Sequence, residues 1–341
     1  MTAASGRLRR AGAGQGGLCL VLLACATCLV ALLHLSTGAR PIAPSVLIET
    51  IGGFDPGNLD HRILTGIRLP RLAAGLACGA ALSVSGLLLQ SLLRNPLGEP
   101  HVLGLNAGAS LAVVALSALP AGLVPGMARP LAAALGGGAL FSLVLVLASA
   151  GRIGLTMTKV TFCGIALSAL ASALISAILI LDQETLEQIR LWLAGDLAGA
   201  AWSEIAPALP VMLCALLAAA LIAPRLDAMA LGDAAAVSLG VPVRATRLVG
   251  LVATAALCGG AVSIAGPIGF VGLIVPGIAH RLSGGRHLLS LPIAAIGGGA
   301  LLLAADVAGR TLLAPQEIAT GIMTAFIGAP VFLLIVARTL R

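Results

Sequence analysis

The chain has no tyrosine, two tryptophans and a single lysine among its 341 residues, and only 10% of it is charged. A water-soluble domain of this length needs about a quarter of its residues charged to cover its surface, so that class is excluded. The one lysine, Lys159, follows Leu-Thr-Met-Thr rather than a glycine-rich loop. No Gly-x-x-x-x-Gly-Lys phosphate cradle is therefore present, and any ATP-driven work belongs to another chain. Nucleophile, metal and carboxylate constellations are also missing, as is a run of intramembrane acids and histidines that would suggest a proton relay. The expectation is no catalytic residue, no metal ligand, no cofactor and no nucleic-acid partner.

What fills the space instead is apolar: 59% of the residues are hydrophobic, and 18–33, 72–89, 209–223 and 248–265 carry no charge at all. Such runs mark chain that spans lipid. They are continuous rather than alternating, which favours helices over a barrel, since each helix satisfies its own backbone groups in hydrocarbon. The 43 glycines, with alanine and serine, let helix backbones approach closely where lipid offers no hydrophobic contrast, so a tightly packed bundle is expected. All seven cysteines fall inside apolar runs, and the Cys25–Cys28 pair, with no histidine or acid near it, reads as packing.

Apolar runs and their breaks predict ten helices, at roughly 17–37, 65–93, 99–119, 124–150, 155–181, 205–223, 242–264, 267–280, 288–308 and 318–338. The third and eighth are short or broken by Gly and Pro. The first is too long for a signal h-region and lacks a cleavage site, so it is read as retained, after a tail at 1–16. The bundle is then one domain, 17–338, in which 224–241 forms the longest charged inner loop. With both termini cytoplasmic, inner segments hold Arg7, Arg9, Arg10, Arg94, Arg152, Lys159, Arg225, Arg244, Arg247, Arg281, Arg286, Arg338 and Arg341, which is 13 of the 20 basic residues. Only Glu99, Asp227 and Asp233 of the 13 acids lie there. This bias obeys the positive-inside rule and would be scrambled by losing one central helix. An internal echo, Gly-x-Ala-x-Ser-x-x-Gly at 79–86 and again at 259–266, runs inward in one copy and outward in the other, as in an inverted repeat.

Several landmarks occur in order: Arg68-Leu-Pro-Arg71; Ser85-Gly86 with Gln90; Arg94-Asn-Pro-Leu-Gly-Glu-Pro100 leading to Leu103-Gly104 and Gly108-Ala109; Trp192-Leu-Ala-Gly195; Leu231-Gly-Asp-Ala-Ala-Ala-Val-Ser-Leu-Gly240; Gly266-Pro-Ile-Gly-Phe-Val-Gly-Leu-Ile-Val-Pro276; Asp306 with Arg310; and Gly328-Ala-Pro330. Together they resemble the permease subunits of ABC importers for iron-siderophore, haem and vitamin B12, over nearly the whole chain. The resemblance implies an all-α, type II importer permease in the bacterial cytoplasmic membrane. It also implies partners: ATP-binding cassette ATPase subunits, a substrate-binding protein and a second permease copy. A ferric siderophore is the expected cargo, with haem and vitamin B12 as alternatives; an ion-coupled secondary transporter is the alternative of another class.

By matching positions, the resemblance places a cytoplasmic gate at Asn95 and Leu97, with Thr156, Met157 and Thr158 as a second gate. Physically, Asn95-Pro96 ends one helix and Pro100 can seat the first turn of the next; an ordinary tight turn is the plain alternative. Gly232, Asp233, Ala236 and Gly240 carry the family's ATPase-coupling role, where a short helix can lie on the membrane surface. A merely solvated loop is the other reading. Arg68, Arg71 and Arg310 fall on the outer side, where related permeases use arginines to pair with acids of the binding protein; helix capping or headgroup anchoring is the alternative. Two departures from the family pattern, Gly277 after Pro276 and Ala319 where a proline is common, leave the fold reading intact.

Overall fold

The computed structural model describes residues 13–38, 40–101, 103–119, 128–150 and 156–339. Among these residues there is no strand. In chain order the elements are α1 (Ala13–Ser36), α2 (Pro44–Gly52), α3 (Leu59–Ile63), a π turn (Leu64–Arg68), α4 (Leu69–Leu93), α5 (Leu105–Ser117), α6 (Ala128–Ser149), α7 (Met157–Leu181), α8 (Gln183–Leu193), α9 (Trp202–Met229), α10 (Asp233–Ser238), α11 (Val243–Ala265), α12 (Val271–Leu282), α13 (His287–Thr311) and α14 (Thr320–Thr339). Among the described residues seven helical stretches are long and apolar enough to cross a membrane, and α5, α12 and α14 are shorter apolar helices. These correspond to the ten expected crossings. The third starts at Leu105 rather than near 99, because the chain between Arg94 and Gly104 is folded as loop and turn. α9 continues to Met229, so the first residues of the expected 224–241 loop are still helical. Arg7, Arg9, Arg10, Arg152 and Arg341 lie outside the described residues.

α4 and α11 form the middle of the bundle. Each has nearly three quarters of its most apolar window buried, against 17% for α1 and α7. Small residues explain this. A Cβ on Gly79 of α4 would overlap the carbonyl of Gly298 on α13, and one on Gly259 of α11 would overlap the backbone of Ala134 on α6. Side chains on α1 such as Leu18, Leu22 and Leu29 are instead more than half exposed, as lipid-facing positions are.

The two contacts, α4 with α13 and α11 with α6, are related by the expected internal repeat. A second echo supports it: Gly136-Gly-Gly-Ala-Leu140 in α6 recurs as Gly297-Gly-Gly-Ala-Leu301 in α13. The helix after each central helix is also short in both halves, α5 after α4 and α12 after α11. Each begins from a residue in the left-handed region, Gly104 at φ 85° and Phe270 at φ 69°. Backbone of this kind is tolerated at membrane depth only where protein buries it or a cavity lines it.

Connections sort into two ends. Bonds from Arg94 to Asp233 and from His287 to Asp227 join the segments after α4, α9 and α12 at the basic end. Bonds from Arg71 to Glu317, from Arg310 to Thr37 and from Thr320 to Asp196 join the segments at the other, acidic end. At that end α8, which the hydropathy pattern does not distinguish, follows α7 directly. Asp182 starts it, accepting from the N–H and hydroxyl of Thr185 at 3.2 and 2.5 Å, and these bonds hold its carboxyl below the usual carboxylate range.

Candidate functional site

At the basic end the landmark stretch 94–104 is a turn that re-enters the bundle. Arg94 closes α4 in the left-handed region, at φ 50°, and its successor Asn95 donates its N–H to Gln90 O. The Asn95 side-chain oxygen accepts the N–H of Leu97 at 3.0 Å, and its carbonyl accepts that of Gly98 at 3.0 Å. This is the Asx-type turn that Asn favours, placed where Pro96 forbids further helix. Asn95 and Leu97 are half-buried. Beyond the turn the chain goes inward: Glu99 is buried and accepts the N–H of Phe270 at 2.9 Å. Asn106 donates to Ile268 O at 3.0 Å and accepts from the Cys258 thiol at 2.9 Å. The two stretches that interrupt the halves, 94–104 and 266–270, are therefore bonded to one another across the repeat.

Thr156 starts α7 as its N-cap, with its hydroxyl oxygen 3.4 Å from the Lys159 N–H, and Thr158 is exposed. The Met157 side chain lies outside the described residues.

The expected coupling residues fall on one short helix but do different work. Gly232 and Gly240 bracket α10 at φ 112° and 78°, conformations that only glycine enters freely. Ala236 is fully buried against the bundle, and its carbonyl accepts the Val241 N–H at 2.9 Å. Asp233 bonds Arg94 Nη2 at 2.5 Å and Arg247 Nη2 at 2.7 Å. Desolvation is the largest single effect and opposes ionisation, but Arg247 and Arg94 together outweigh it and hold the carboxyl below its usual range. What α10 and its approach leave at the surface are Leu231, Val237 and Leu239, each more than 60% exposed. All three lie within the landmark 231–240 but not among the coupling residues taken from it; their signal is apolar side chains in the most charged inner segment.

A second cluster at this end was also not anticipated. His287, the first residue of α13, has Nδ1 2.6 Å from Asp227 of α9 and Nε2 2.6 Å from the Ser91 hydroxyl of α4. Its backbone N–H bonds the same Asp227 oxygen at 2.9 Å, and the His280 ring centroid is 5.4 Å away.

At the acidic end the three predicted arginines are not free. Arg68, Arg71 and Arg310 are 5%, 6% and 7% exposed. Arg71 grips Asp306 through Nε and Nη2, at 3.0 and 2.9 Å, and reaches Glu317 with Nη1 at 2.9 Å. Arg310 pairs with Asp306 at 3.1 Å and donates to the carbonyls of Thr37 and His34. Arg68 donates to the carbonyls of Leu35 and Arg40. Asp306 itself is buried and also takes His34 Nε2 at 2.9 Å and the Thr320 hydroxyl at 2.8 Å. Proline explains the placement of the first pair: Pro70 lacks an N–H, the preceding turn widens into the π turn, and Arg68 and Arg71 both point into the bundle. One carboxylate thus ties α1, α4, α13 and the start of α14. Among the described residues no group of three or more His, Cys, Asp or Glu is placed to hold a metal ion.

Ten apolar helices in two inverted halves, interrupted helices bonded to each other inside the bundle, and a short surface helix linked to the re-entrant turn define a polytopic membrane permease. The chain belongs to the FecCD transport family, whose pattern matches residues 25–338. Over 333 residues it is 38% identical to the ferric enterobactin transport system permease protein FepD of Escherichia coli (strain K12), covering 97% of both chains. It is 36% identical over 315 residues to the hemin transport system permease protein HmuU of Yersinia pestis, covering 91% of this chain and 94% of that one. Its fold matches the solved structure of an inward-facing metal-chelate type ABC transporter with a TM-score of 0.77 at 28% identity, over 94% of this chain and 98% of the other.

Proposed function

We propose that this chain is the membrane-spanning subunit of an ATP-driven importer that carries a ferric siderophore across the bacterial cytoplasmic membrane. Family membership over residues 25–338 carries the reading. Two copies enclose the path, two separate ATPase subunits bind the basic end, and a substrate-binding protein docks at the acidic end. Both termini then lie on the cytoplasmic side. The turn at Asn95 and Leu97 and the start of α7 at Thr156, Met157 and Thr158 are the gates; α10 is the ATPase-coupling element. Fe-siderophore uptake in cells carrying the operon should be abolished when the ATPase phosphate-binding lysine is changed to alanine. Uptake that survives that change would instead support an ion-coupled carrier. Haem is the second reading, favoured by the likeness to HmuU, and competition by hemin against labelled siderophore separates the two.

The docking role proposed for Arg68, Arg71 and Arg310 is an indirect one. Already bonded within the chain, they hold the ends of α1, α4 and α13 in the shape that receives the binding protein. Reversing the charge of Arg68 and Arg310 together should weaken binding-protein affinity tenfold or more at low salt while the ATPase still co-purifies. Unchanged affinity would remove the role.

A further inference from the structure

Among the bonds at the basic end, one joins the two features that the importer reading keeps apart. Arg94 is the residue immediately before Asn95, and it leaves α4 in a left-handed conformation that a non-glycine residue adopts only when its surroundings hold it there. Its Nη2 donates to the Met229 carbonyl, at the end of α9, at 2.6 Å and to Asp233, at the start of α10, at 2.5 Å. The other Asp233 oxygen takes Arg247 of α11 at 2.7 Å. α10 packs on α9 and α11. What reaches from it to the end of α4 is the side chain of Arg94.

Two observations assign this bond a purpose other than stability. Asp233, Arg94 and Arg247 all have side chains more than 40% exposed, and ion pairs this exposed contribute little to folding. The flanks of α10 also leave room around it: Gly232 and Gly240 both sit at positive φ, and a Cβ on either would meet nothing within 4 Å. A short helix held by one buried alanine, between two unconfined glycines, can tilt as a unit. When it does, the carboxylate at its first residue drags the arginine that ends α4.

Resting on the importer reading above, we infer that Arg94 and Asp233 are positioning residues that carry motion of α10 into the gate turn at residues 95–98. Arg247 anchors the opposite side of the same carboxylate, so that tilt of α10 redistributes Asp233 between a fixed partner and a mobile one. The exposed Leu231, Val237 and Leu239 remain the surface that meets the ATPase, which keeps docking and transmission on different side chains.

The test uses the full permease–ATPase complex in proteoliposomes with Leu97→Cys introduced. Labelling at position 97 by a membrane-impermeant maleimide is read by peptide mass spectrometry with and without a non-hydrolysable ATP analogue. In the otherwise wild-type background the labelling rate should change at least fivefold on nucleotide binding. Asp233→Asn and Arg94→Gln should each reduce that change to less than twofold with the ATPase still bound, while Asp233→Glu, which keeps the carboxylate between Arg94 and Arg247, should retain at least half of it. A full nucleotide response in Asp233→Asn overturns the inference. So does loss of ATPase binding in the single variants, which would make the pair a docking contact, and so does loss of the response in Asp233→Glu, where the charge is kept. A wild-type complex that shows neither uptake nor a nucleotide response would count against the importer reading itself, and the link falls with it.

Discussion

Asp306 is the residue on which most of the acidic end depends. It is 1% exposed and faces a guanidinium, an imidazole and a hydroxyl from three other parts of the chain, together with the guanidinium of Arg310 on its own helix. Removing one partner of a buried ion pair leaves uncompensated charge and costs about 3–5 kcal/mol, whereas replacing whole sets with apolar residues is far milder. Asp306→Ala should therefore lower the melting temperature of the detergent-solubilised protein strongly, and Asp306→Leu combined with Arg71→Met should recover part of the loss. At the basic end Asp233 gives a pH prediction. Its carboxyl is held below the usual range by Arg247 and Arg94, with desolvation opposing them. A depressed carboxylate contributes above its unfolded pKa, near about 4, and loses that contribution as pH falls through the lower folded value. The ratio of labelling rates at position 97 with and without nucleotide should thus be constant between pH 8 and pH 5, although both rates fall with the thiolate fraction, and the response should fail only in stronger acid. The charges of these residues could be read from the chain, but their partners could not. Arg71 and Asp306 lie 235 positions apart, and nothing local signals that such an arginine turns inward instead of outward. Asn95 was legible because Asn-Pro is a local rule; Leu231, Val237 and Leu239 were not, because exposure is a property of the folded surface.

At the scale of elements, glycine positions divide sharply. A Cβ on Gly86 of α4 would overlap the Gly272 backbone of α12, while Gly277, also in α12, has nothing within 4 Å of that position. Overpacking a filled contact costs about 1–3 kcal/mol or more, and adding a methyl to an open helical glycine is neutral or favourable by under about 1 kcal/mol. Gly86→Ala should reduce yield and melting temperature; Gly277→Ala should leave both unchanged or slightly higher. Composition foretold close packing in general, since small residues are abundant throughout, but not which glycine meets which. Helices with a lipid-facing surface were equally plain in the hydropathy. α2 and α8 were not, because short or polar helices at an interface lack a long apolar run; the break after α4 was, though not its length to Leu105.

For the molecule as a whole, the importer reading puts α10 on the cytoplasmic side and α3 on the outer side. Ser238→Cys, on α10, should react with an impermeant thiol reagent only from the cytoplasmic face, and Asn58→Cys, before α3, only from the outside, as read in right-side-out and inverted vesicles. Reaction of both from one face would break the ten-helix arrangement. The likeness between α6 and α13 has a practical consequence for such work. Because both halves press the same five-residue glycine stretch against their neighbours, comparable injuries can be made twice in one molecule, and each half serves as the internal standard for the other. A defect that follows Gly298→Ala but not its counterpart Gly137→Ala must arise from something the second half alone touches, and the asymmetry would single out that partner without any second protein for comparison.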